Sequence, residues 1–321
     1  MKITIDNINS IDNIDEKIDN SFNGTCFAYS WFLGLKETNR ILKIEEDNEV
    51  IGFMPLFLDD SKKKICQSTM YIPYGGPVIF KVPNEERNKI RLIRRIENEL
   101  SKYLTENFDE LSFSTDNKIV DIMPFIRNGL IPEVRYTYKI DLSNEIAVIY
   151  NNFGSDRKKE IRRAVNNNVE FYLDKQLKYF SAEKCVDWEK KYNFPSSTEW
   201  TRQYIESTIA KNRGMCFVAK KDDTVYGAVH MAWDKTTAYI LYSYFDPNYD
   251  FGAIAFLYYK IFEYLKEKEN IKFIDFEGSV YESVEDFNIS FGAYQSRYYN
   301  LHYSKSDLDS IYKNLYVYYE K

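Results

Sequence analysis

One segment of the chain is repeated, in diverged form, 175 residues further on. ILKIEEDNEVIGFMPLFLDD (Ile41 to Asp60) aligns without a gap on CFVAKKDDTVYGAVHMAWDK (Cys216 to Lys235), with Gly52 over Gly227 and Asp59 over Asp234. Each copy reads as a strand, a charged turn and a second strand opening Val-x-Gly, the pattern of a β-hairpin. ELSFST (from Glu110) falls on KFIDFE (from Lys272), and RYTYKIDL (from Arg135) on RYYNLHYS (from Arg297), both at an offset of 162. Before the second of these strands each copy has a helical segment ending at a glycine, Gly129 or Gly292, which suits a turn with positive φ. The first copy therefore carries 13 more residues between hairpin and next strand, an interval that holds PYGGP and a helix over Glu85 to Asn107.

The order predicted for each copy is helix, hairpin, long strand, helix, strand, helix, strand. It implies an α/β (α+β) chain of two units, each a mixed, largely antiparallel sheet flanked by helices. The units are placed at 1–145 and 146–304. An amphipathic stretch, Ser306 to Tyr319, is predicted as a closing helix. Two units also fit 321 residues, since single domains cluster near roughly 100–150.

Composition narrows the function. The net charge of −6 argues against broad nucleic-acid binding, which needs a basic face. Cys26, Cys66, Cys185 and Cys216 form no CxxC pair and the histidines are only His230 and His302, so no metal site is expected. No apolar run approaches the roughly 20 residues of a membrane helix and the start lacks a signal-peptide profile, so no integral membrane segment and a cytoplasmic, reduced protein are expected.

The element order resembles the GNAT acyltransferase fold, and its tandem form resembles the Fem family of peptidoglycan aminoacyl transferases. Carrying the likeness are Trp31, the loop Tyr71-Ile-Pro-Tyr-Gly-Gly-Pro77, the basic run DRKKEIRRAVNNNVEF (Asp156 to Phe171), YGAVH (Tyr226 to His230), IDFEGS (Ile274 to Ser279) and FGA (Phe291 to Ala293). The resemblance implies transfer of an aminoacyl or acyl group from an activated carrier to an amine of a phosphorylated or nucleotide-linked cell-envelope precursor. No tightly bound cofactor is expected; aminoacyl-tRNA, favoured over acyl-CoA, is the co-substrate, with tRNA as donor carrier. An acyl-CoA enzyme acting on an amino sugar or small metabolite and a non-catalytic binding tandem are the alternatives. Acceptor is expected mainly at the first unit and the cleft between units, donor at the second; the resemblance also implies that the C-terminal helix 305–321 packs back on the first unit.

Donor choice turns on Tyr249-Asp250-Phe251-Gly252-Ala253-Ile254. In CoA-dependent GNAT enzymes this stretch offers backbone N–H groups and a basic or amide residue to a pyrophosphate; here Tyr249 takes that place and Asp250 adds a repelling charge. Gly75 and Gly76, beside Tyr74, form either a plain turn or a ligand loop. Arg157, Lys158, Arg162 and Arg163, on the basic helix 156–166, form a solvated face or a phosphate-steering patch. Asp275 and Glu277 are read as two apart on a strand and so on one face, where they accept a proton from an attacking ammonium, cap the next helix or pair with Arg297. His230 lies between Ala228 and Ala232 in alternation, as a ligand contact or a structural residue; Tyr242 and Tyr244 are proton donors or core. Trp31, Lys36, Ser279 and Arg297 complete the expected substrate contacts.

Overall fold

The computed structural model describes residues 1–35, 40–59, 64–65, 72–191, 197–246, 251–278 and 281–306. Lys36, Tyr71, Tyr249, Asp250, Ser279 and nearly all of the expected closing helix lie outside them. The chain separates into two compact units, Met1–Arg135 with the described residues from Arg297 on, and Tyr136–Ser296.

The first unit runs β1 (Lys2–Asn7), α1 (Ile14–Asp19), α2 (Ser30–Leu35), β2 (Arg40–Glu46), β3 (Glu49–Pro55), β4 (Leu58–Asp59), β5 (Lys64–Ile65), β6 (Val78–Ile79), α3 (Glu86–Asn107), β7 (Glu110–Ser114), α4 (Met123–Arg127) and the start of β8 (Ile131–Asp141). The predicted hairpin is β2–β3, with Ile44 opposite Gly52, in an antiparallel sheet ordered β1-β2-β3-β6. Its core gathers Leu42, Ile44, Met54 and Ile79 from the strands with Ile96, Leu100 and Leu104 from α3. The second unit continues through the rest of β8, α5 (Ile146–Asn151), α6 (Ser155–Asn166), β9 (Glu170–Leu173), α7 (Ala182–Lys191), α8 (Thr198–Ala210), β10 (Gly214–Lys221), β11 (Thr224–Trp233), β12 (Thr237–Phe245), α9 (Ala253–Lys266), β13 (Phe273–Asp275), α10 (Glu282–Ile289) and the start of β14 (Tyr294–Ser304). Here the order is β8-β13-β12-β11-β10-β9, antiparallel except for β12 and β13. Helix α9 buries Ala253, Phe256, Leu257, Ile261, Phe262 and Leu265, more than one apolar stripe, because it packs on β10 and β11 as well as on α6.

Both repeat glycines adopt the left-handed backbone expected of them, Gly129 at φ 91° and Gly292 at φ 74°. The closing strands are exchanged between copies: β7 pairs with β14, Leu301 opposite Phe113, and β13 pairs with β8, Ile274 opposite Ile140. Sequence copies and folded units thus differ by one half-strand at each end.

Glu97 is a buried, unsatisfied carboxyl in the first unit. It lies on the buried face of α3, fully inaccessible, and neither carboxyl oxygen has a hydrogen-bond partner among the described residues. Burial, with the nearby Asp121 charge second, pushes its pKa up to about 9. Between the ordinary value of 4.5 and about 9 the unfolded chain ionises this group and the folded chain does not. Stability therefore falls with rising pH across that window and levels off above it. Glu97→Met removes the penalty: the melting temperature at pH 8 should rise by roughly 2–4 °C, and the gap to the parent should close towards pH 5. A gap independent of pH would show that Glu97 does not titrate in this way.

Candidate active site

The site is built where the parallel pairing of β12 and β13 stops. Thr237, Ala238 and Tyr239 face Phe273, Ile274 and Asp275, and the pairing goes no further. Beyond it the chain stays with β8, the Phe276 amide donating to the Tyr138 carbonyl at 2.9 Å, while β12 runs on to Phe245. One extra residue in β12 adds to the divergence: His230 faces Tyr242 and Met231 faces Ile240, leaving Leu241 unmatched. No described strand pairs with that edge of β12 past Tyr239.

Asp275 closes β13 in a fully buried position. Its carboxylate accepts hydrogen bonds from the Thr137 hydroxyl and, at 2.8 Å, from the Glu277 amide, and forms an ion pair with Lys139 Nζ at 3.2 Å. Lys139 is itself buried. The pairing considered for these carboxylates with Arg297 is replaced by Lys139; Arg297 is exposed on β14 and has no ion pair among the described residues. Lys139 was missed in the sequence, although a lysine between Tyr138 and Ile140 in an apolar strand is a visible anomaly.

Glu277 does not continue the strand. β13 ends at Asp275, and Glu277 has φ 59°, so the one-face argument from strand alternation fails. The two carboxyl residues meet instead through the tight turn that Asp275 holds by accepting the Glu277 amide. Glu277 Oε1 is buried without a hydrogen-bond partner among the described residues, and burial, followed by the Asp275 charge, raises its pKa well above the usual carboxyl range. On β12, Ser243 is exposed and hydrogen-bonds the buried Tyr258 of α9, whose pKa burial pushes up to about 12.

His230 and Tyr242 form a second group. His230 is fully buried among the rings of Phe180, Tyr204 and Tyr242, at centroid separations of 6.3, 5.8 and 5.9 Å. The Thr208 hydroxyl donates to the Ile205 carbonyl at 2.7 Å, so its oxygen accepts from His230 Nε2 at 2.9 Å. That leaves Nδ1 as a bare acceptor, and burial lowers the ring's pKa to about 3. His230 is thus a neutral ring packed against α8. Tyr244 is tied on both sides, its hydroxyl accepting from the Ser181 amide and donating to the Tyr179 carbonyl.

The remaining expected contacts are spread out. In the first unit, Trp31 stacks on Tyr29 at 5.8 Å, and Tyr74 packs edge-on against Phe27 and Tyr298. Gly75 and Gly76 both donate their amides to the Ser114 carbonyl, at 3.1 and 2.8 Å, so those N–H groups hold a turn against the end of β7. On α6, Arg157 pairs with Glu160 and lies over Phe287, and Lys158 donates to the Asn151 carbonyl; Arg162 and Arg163 are exposed.

The same helix covers the start of α9. Gly252 caps α9 with a left-handed backbone, and a Cβ placed on it would stand 2.2 Å from the Glu160 carbonyl oxygen of α6. The backbone of α6 therefore packs tightly on the start of α9.

Residues 155–286 match the acetyltransferase (GNAT) domain family. The chain is similar in fold to FemX, with a TM-score of 0.66 at 13% identity, covering 97% of this chain and 99% of that one. It is similar as well to a GNAT-family acetyltransferase from Colwellia psychrerythraea (TM-score 0.53, 10% identity, 94% and 99% covered). A third likeness is to the C-terminal domain (DUF2156) assigned to a lysylphosphatidylglycerol synthetase from Agrobacterium fabrum (TM-score 0.54, 12% identity, 86% and 88% covered). No curated protein matches by sequence.

The Lys139–Asp275 pair yields a stability test. Removing one member strands a buried charge, so Lys139→Met should cost ~3–5 kcal/mol. Lys139→Met combined with Asp275→Leu should recover most of that loss, as read from chemical denaturation of the single and double variants. A double variant no more stable than the single one would contradict the pairing.

Proposed function

We propose a donor and an acceptor for this chain, a GNAT-type acyltransferase with the Fem-like fold: it moves an aminoacyl group from aminoacyl-tRNA to an amine of a phosphate-bearing cell-envelope precursor. The observation that carries the choice of donor is the tight packing of α6 on the start of α9, where Gly252 sits against the Glu160 backbone. A donor that needs its pyrophosphate held there is disfavoured, and an ester on a terminal ribose has no such need. The fold likeness to FemX supports the same reading.

The chemistry is assigned to the diverging end of β12 and β13. The amine nitrogen attacks the ester carbonyl carbon, the N–C bond forms, and the C–O bond to the ribose oxygen breaks. In this reading N–H groups on the edge of β12 past Tyr239 stabilise the oxyanion. Glu277, as carboxylate, takes the proton from the attacking nitrogen and returns it to the departing oxygen; a carboxyl with a raised pKa suits both transfers. Asp275 and Lys139 fix its turn and charge. Arg162 and Arg163 steer the phosphates of the substrate towards the unit.

Three assays test this reading. Incubation with charged tRNA and with acyl-CoA, each with candidate amines, should show transfer from the tRNA; transfer from acyl-CoA alone would favour the acyl-CoA alternative, which the GNAT-domain match supports. Glu277→Gln should lower kcat by roughly 10²-fold and abolish the acid limb of the pH–rate profile, activity in the parent rising with pH through the raised Glu277 pKa. Arg162→Glu with Arg163→Glu should raise KM for a phosphate-bearing substrate and flatten its salt dependence, leaving kcat near the parent value.

A further inference from the structure

Helices α3 and α4 of the first unit present a surface that neither the fold nor the transfer chemistry uses. The first turns of α3 hold Arg87, Ile90, Arg91 and Arg94 outward, at the three- and four-residue spacings that define one helix face. Alongside, α4 buries Pro124 and Phe125 and exposes Met123 and Ile126, with Val120 just before it. The two segments are tied side by side: Arg94 forms an ion pair with Asp121, and Asn128 Nδ2 donates to Ser101 Oγ at 2.8 Å. Ile90, Val120, Met123 and Ile126 are 41%, 58%, 42% and 37% exposed. Single exposed aliphatics are ordinary, but four on adjoining faces form a patch.

The charge beside that patch is predominantly positive. Glu86 holds Lys89, Glu46 holds Arg95, and Asp121 holds Arg94; Arg87, Arg91 and Arg127 make no ion pair among the described residues. In a chain of net charge −6 this concentration of free arginine is local. We propose that the α3–α4 face docks on the surface of an anionic phospholipid bilayer, the arginines meeting headgroup phosphates and the aliphatic side chains entering the acyl boundary. The apolar members on this face are all aliphatic, whereas nucleic-acid surfaces interleave cations with stacking rings. Protein interfaces, for their part, are enriched in aromatic residues and depleted of charge at their centres.

Co-sedimentation of the full chain with vesicles tests the assignment independently of catalysis. Partition onto phosphatidylcholine vesicles carrying about 30% phosphatidylglycerol should exceed that onto pure phosphatidylcholine roughly tenfold and should fall with added salt. Arg87→Glu with Arg91→Glu should reduce binding to the phosphatidylcholine level, and Met123→Ser with Ile126→Ser should weaken what persists at high salt. Both double variants change exposed side chains and should keep the parent melting temperature. Equal partition onto the two vesicles, no partition, or unchanged binding by both variants would overturn the proposal. So would a gel shift with RNA that the arginine variants abolish while vesicles stay unbound.

Discussion

The buried pair between Asp275 and Lys139 is the interaction on which the second unit's site rests. Two charges removed from water hold only if each finds the other and their remaining hydrogen-bonding positions are filled. Here Thr137 and the Glu277 amide fill them on the Asp275 side. Everything near the site follows. With Asp275 anchored to β8, the chain after β13 follows β8 and leaves β12, and the gap opens. With the Glu277 amide bound back to Asp275, Glu277 is forced into a left-handed turn that aims its carboxyl at a buried position. The anchoring lysine belongs to the last strand of the first sequence copy, so the turn after β13 is held by a residue from the first copy.

A second constraint acts at the start of α9. GNAT folds place a helix N-terminus beside the gap between the splayed strands, and such an end attracts phosphate. In this chain the backbone of α6 packs closely on that end at Gly252. The helix that carries the basic run thus has a role its charges did not announce. Arg157 and Lys158 serve packing through Phe287 and Asn151, and Arg162 and Arg163 remain exposed.

The hairpins β2–β3 and β10–β11 were legible because alternation and turn residues are local signals, and Gly129 and Gly292 because a left-handed turn demands glycine. The exchanged closing strands were not: RYTYKIDL and RYYNLHYS each read as a strand, but nothing in either says which neighbour it joins. The site was half visible. Asp275 and Glu277 stood out as carboxylates beside a glycine, yet period-two reasoning put both on one strand face, because the turn at Glu277 depends on a hydrogen bond to Asp275 rather than on a residue that announces a turn. For His230 the sequence showed small neighbours at Ala228 and Ala232; the space they leave is filled by Phe180, Tyr204 and Tyr242 from elsewhere in the unit.

Transfer is proposed to occur where β12 and β13 part, beside Glu277. A crystal structure with a stable 3′-aminoacylamino-adenosine bound tests it most directly. The analogue's amide carbonyl should lie at the edge of β12 past Tyr239, with its nitrogen within hydrogen-bond reach of the Glu277 carboxyl. An analogue bound away from that gap, or a CoA pyrophosphate seated at Gly252 with α6 displaced, would contradict it.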